Sequence, residues 1–141
     1  MNCLIRIRGK ATTDTTDQTE LMVRGLCRPV NTADGPGYRF DYRSADSEDP
    51  NSVTKEQLTV TAARASLIRT GSIRSEMEIV PGEIHPCDYD TAFGMLTFDV
   101  VGLAVSVSED AGTVTACFSY ELRHGDEVLS RNDIEITAEP A

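Results

Sequence analysis

The chain contains no tryptophan, only two histidines, and just two lysines, Lys10 and Lys55. Four cysteines occur, at positions 3, 27, 87 and 117, and none forms a CxxC pair. Each gap excludes something. His85 and His124 are far apart, and "HPCD" (85–88) supplies only half of a tetrahedral donor set, so no metal is expected. No serine or cysteine sits in a nucleophile elbow, and His124 falls in a turn segment, so no catalytic residue is assigned. "ADGPG" precedes an extended segment and not a helix, which removes the usual phosphate-cradling loop. The expectation is a protein without a cofactor and without enzymatic activity.

Long apolar runs are missing too. No segment approaches the ~18 unbroken apolar residues of a membrane helix. The N-terminal "MNCLIRIRGK" alternates apolar and basic residues where a secretory signal would be continuously apolar. A cytoplasmic protein is expected, with its cysteines as buried free thiols. No membrane partner is expected.

What is present fits one domain, residues 1–141, with 40% hydrophobic residues. A chain of this length hides about 70% of its unfolded surface, enough for a core without staples. Acids outnumber bases 23 to 13, and the net charge of -10 argues against nucleic acid as a partner. Of the 13 basic residues, 11 are arginine, several at nearby positions of one strand pattern: Arg6 and Arg8, Arg24 and Arg28, Arg39 and Arg43. Such arginines belong either to a solvated face, paired with acids across a sheet, or inside, where a planar donor clamps an anion.

The apolar period is two almost throughout, and turn residues punctuate it as in all-β domains. Strands are expected over 2–11, 20–30, from 38, 57–62, 65–71, 73–80 (with Ile73, Met77 and Ile79 inward), 84–89, 94–110, 113–123 and 127–138. "NTADGPG" (31–37) reads as a long loop, "SADSEDPNS" (44–52) as an acidic connection, and "VPGE" (80–83) as a type II turn. In the 94–110 stretch the apolar set is even up to Val100 and odd from Leu103. A one-residue slip of this kind needs a bulge or corner at Val101–Gly102, where a strand bends. The architecture expected is all-β: a closed antiparallel up-and-down barrel of about eight to ten strands, with a sandwich as the competitor.

Polar residues on otherwise apolar faces are the candidates for function. Arg69 shares a face with Leu67, and Ser130 and Asn132 interrupt the face that carries Ile134 and Ile136. A buried arginine must be paired, exposed, or awaiting an anion. "YDTAFG" (89–94) packs two aromatics, a threonine and a glycine between two strands, as a structural corner or a ligand-lining loop.

"LIRTGSI", "YDTAFGMLTFDV" and "GTVTACFSYELRHGDEVLSRNDIEI" resemble the YwiB-like family of bacterial proteins of unknown function, most clearly over 57–137. That family often has proline where this chain has Ala92. The resemblance implies a calycin-like barrel, as in lipocalins, and no established activity. By fold analogy, the barrel is expected to bind a small amphipathic or anionic molecule inside or at its mouth. Arg69 would neutralise an anion, Tyr89 and Tyr120 would donate hydrogen bonds, Phe93 would give apolar contact, and Thr91 and Asn132 complete the set. The alternative is a filled, non-catalytic barrel that forms a homodimer or binds a protein partner.

Overall fold

The computed structural model describes residues 2–45, 53–91 and 94–141. Among these residues the strands are β1 (Asn2–Thr12), β2 (Thr16–Thr32), β3 (Gly35–Ala45), β4 (Val53–Thr61) and β5 (Ala65–Gly71). They continue as β6 (Ser75–Ile79), β7 (Ile84–Thr91), β8 (Gly94–Asp110), β9 (Thr113–His124) and β10 (Glu127–Pro140). All ten join one antiparallel sheet in the order β6-β5-β4-β3-β2-β1-β10-β9-β8-β7. Consecutive strands neighbour each other, and β1 closes on β10. No helix among the described residues is long and apolar enough to cross a membrane.

The ring is nearly closed between β6 and β7. There Arg74 N–H donates to the Asp90 carbonyl at 3.0 Å, and Asp90 N–H returns to Arg74 at 2.9 Å. The β6–β7 turn is tied to β8 instead: Gly82 N–H donates to the Gly102 carbonyl, and Gly102 N–H to that of Glu83, both at 3.0 Å. This turn is the expected type II, with Pro81 second, Gly82 third at φ +81°, and Glu83 N–H donating to Val80.

The bend in β8 lies one residue beyond its expected place. Gly102 pairs with Tyr120 and Ala104 with Ser119, so Leu103 is the unpaired residue. The phase flip follows from this extra residue. Glycine is required at 102 for another reason as well, since a Cβ there would run into the carbonyl oxygen of Val80.

Inward residues alternate along each strand and fill the barrel. Ile5, Phe40, Leu58, Val60, Met77, Ile79, Val100 and Ile136 are almost wholly buried, each such side chain contributing about 1.5–3 kcal/mol. Three sequence expectations need correction. The loop at 31–37 is only the turn Ala33–Asp34, because Thr32 Oγ1 accepts from Asp34 N–H and donates to Gly35, letting both strands run on. Ile73 is not inward: it precedes β6 at 37% exposure, and Ser75 takes the buried position. None of the four cysteines forms a disulfide, but Cys117 points outward and is only half-buried. Residues 46–52 of the acidic connection lie outside the described residues.

Candidate functional site

Among the described residues the inward side chains are apolar except at one level near the lower end, the end with the β1–β2, β5–β6 and β9–β10 turns. Strand register builds that level. Tyr42 stands opposite Glu56, Glu56 opposite Arg69, and Arg69 opposite Ser75, a continuous row across β3, β4, β5 and β6. On the other side, Tyr120 stands opposite Asn132. Tyr89 on β7 lies between the two halves, close enough to feel the charge of Arg69 and the hydroxyl of Tyr120. Seven strands thus contribute to one polar belt.

Arg69 is the hub. Its Nε–H donates to Glu56 Oε1 at 2.8 Å, both side chains being largely removed from solvent. Burial alone would weaken the charge on Arg69. The Glu56 carboxylate, by charge and hydrogen bond, outweighs that and holds the guanidinium above its ordinary pKa. Burial likewise raises Tyr42, Tyr89 and Tyr120, so all three stay neutral donors at physiological pH. Asn132 donates through Nδ2 to Ser130 Oγ at 3.0 Å. One group is left over. Ser75 Oγ, on a residue only 6% exposed, has no hydrogen-bond partner among the described residues.

Apolar surface lies beside the belt. Tyr89 meets Phe98 edge-on with ring centroids 5.4 Å apart, and Phe118 stacks on Tyr120 at 6.4 Å. Leu96, opposite Tyr89 on the inward side of β8, keeps 54% of its surface exposed.

The family described as a domain of unknown function, DUF1934, matches residues 5–136. The chain belongs to the DUF1934 family. Its fold is similar to that of the crystal structure of ywiB protein from Bacillus subtilis, at a TM-score of 0.82 and 14% sequence identity. The likeness covers 99% of this chain and 92% of that one. It extends to the calycin-like barrel expected from the sequence. No curated protein matches the sequence.

In this DUF1934 chain the structure brings together Arg69, Tyr89, Tyr120 and Asn132 of the sequence candidates. Thr91 ends β7 opposite Gly94, and its side chain lies outside the described residues, as does the whole of Phe93. Tyr42, Glu56 and Ser75 were missed. Glu56 has a readable signal: Thr54, Glu56, Leu58 and Val60 alternate on one face, but only if the strand begins before residue 57. Two further grooves of the DUF1934 chain lie on outward faces. One, of about 810 Å³, has a floor of small residues on β8 and β9, including Ala104, Ser106 and Ser119, between Arg8, Glu20 and Glu135. The other, of about 610 Å³, lies on β2, β3 and β4. Among the described residues no three metal-ligating side chains converge.

Proposed function

We propose that this protein binds one small amphipathic molecule at the lower end of the barrel, without transforming it. The observation that carries the proposal is Ser75 Oγ, buried and without a partner among the described residues, directly opposite Arg69. A buried hydroxyl left unpaired costs about 1–3 kcal/mol, which a ligand atom there would recover. The guanidinium adds N–H donors beyond the one given to Glu56, and Tyr120 adds a neutral hydroxyl. Leu96 and Phe98 supply an apolar wall for the rest of the molecule.

The polar head is one rich in acceptors. It does not have to be an anion, because Glu56 already serves as counter-charge to Arg69. Mixed apolar and hydrogen-bonding surface at a barrel mouth is the ordinary composition of a small-molecule site.

Native mass spectrometry of the protein as purified from cells tests this, with NMR titration of decanoate and decanol as defined probes. The expected result is a carried-over mass released on denaturation, or saturable probe-dependent shifts at Ser75, Tyr89 and Tyr120. Ser75→Ala and Tyr120→Phe would then weaken binding while the chain stays folded. The mass of the bare chain together with no saturable shift from either probe overturns it. A dimer mass in that case favours the filled, self-associating barrel.

A further inference from the structure

The groove of about 610 Å³ on β2, β3 and β4 is lined by Arg24, Arg28, Arg39, Arg43 and Lys55, with Asp41 as the single acid. Their outward placement follows from strand alternation, since Cys27, Phe40, Tyr42 and Leu58 between them are buried. Register then concentrates the charge. Arg28 stands directly opposite Arg39, and Arg43 directly opposite Lys55. With strands about 4.8 Å apart and alternate residues about 7 Å apart, the five cations occupy a patch on the order of 10 by 13 Å.

Asp41 is already engaged. Arg39 holds it through Nε and Nη2, both at 3.0 Å. No carboxylate among the described residues forms an ion pair with Arg24, Arg28, Arg43 or Lys55. Like charges directly opposite in a sheet are unfavourable, and this conflict occurs in a chain whose net charge is -10. An anion lying across the groove would turn that repulsion into attraction.

The kind of anion follows from the donors. Four of the five cations are arginines, whose forked donors match phosphate oxygens in pairs. The patch is wider than one phosphate can span. Its one aromatic lining residue, Tyr42, is buried in the core, so no exposed ring there stacks a base, as single-stranded nucleic acid sites require. We propose that this groove binds an oligophosphate group, two or three linked phosphates, free or carried by a nucleotide.

Calorimetric titration of the full chain at low salt, with inorganic tripolyphosphate as probe, tests this. The expected result is saturable binding at one site, tighter than sulfate by roughly tenfold or more, as two extra charged hydrogen bonds imply. Arg28→Gln with Arg43→Gln should weaken it by roughly tenfold or more, and Lys55→Gln by less. Arg8→Gln, in the other groove, should leave it unchanged. Thermal melts of each variant confirm folding, and Lys55→Gln alone remains informative if the double variant fails. ATP binding as tightly as tripolyphosphate identifies the phosphates as the whole determinant, and ATP binding more tightly identifies a nucleotide as the source. Absence of saturable binding, equal binding of sulfate, or equal loss in Arg8→Gln overturns the proposal. So does preference for a single-stranded oligonucleotide or an acidic peptide over tripolyphosphate.

Discussion

Two outward faces of this barrel carry arginines in the same sequence pattern and hold them differently. On β1, Arg6 and Arg8 both reach Glu20 of β2, at 3.4 and 3.8 Å, and Arg8 also approaches Glu135 of β10 at 4.0 Å. On β2 and β3, Arg24, Arg28 and Arg43 meet other cations, and among the described residues only Arg39 of this group has an acid. The difference lies wholly in the neighbouring strand. A pairing that puts Arg8 beside Glu20 makes a satisfied surface, whereas one that puts Arg28 beside Arg39 leaves a positive field seeking an anion. The interior repeats the first case in a drier setting, where Arg69 meets Glu56.

The strongest test of the paired class is Arg69→Met. It strands Glu56, only 8% exposed, and should lower the unfolding free energy by about 3 kcal/mol. Urea titration reads the loss, and the double variant Arg69→Met with Glu56→Leu should recover most of it. A loss no larger than that of a surface pair would place Arg69 with the outward arginines.

Alkaline titration sharpens the contrast between dry interior and wet surface. Burial, aided by Cys3, pushes the Cys27 thiol up to about 12 from 9.0. The unfolded chain therefore loses that proton first, so stability is flat below about pH 9 and falls as pH rises from about 9 to about 12. The slope contributed by the group approaches about 1.4 kcal/mol per pH unit. The buried tyrosines act in the same direction at higher pH. Unfolding measured against pH should show this decline, and Cys27→Val should flatten its first part.

Within the basic groove, Asp41→Asn removes the single carboxylate. It should cost about 1 kcal/mol at low salt and tighten tripolyphosphate binding. The smallest effects oppose each other in sign. Glu20→Gln should lower stability by about 0.5 kcal/mol, vanishing in high salt, while Arg28→Gln should raise it by about 0.5 kcal/mol. Equal signs would erase the distinction between the two faces.

Much of the fold was legible because strand alternation is a local property. The 94–110 strand was readable to its ends, and its change of phase announced the bulge within a residue or two. Arg69 and Asn132 were legible as polar intrusions on apolar faces, Tyr89 through the 89–94 motif, and Tyr120 through the family resemblance. Glu56 was not, because a start at Gln57 hid the inward pair Thr54 and Glu56. Ser75 was displaced by Ile73, whose apolarity outweighed its place in the turn.

The sequence by itself determined the period-two strands, the glycine at which β8 must bend, and therefore a barrel. Those depend on side-chain alternation and backbone freedom, which each short segment carries alone. Only the tertiary structure decided which charges became neighbours: Glu56 beside Arg69, Glu20 beside Arg8, Arg39 beside Arg28. Electrostatic energy depends on distance across strands, and that distance is set by register between segments that say nothing of each other in sequence.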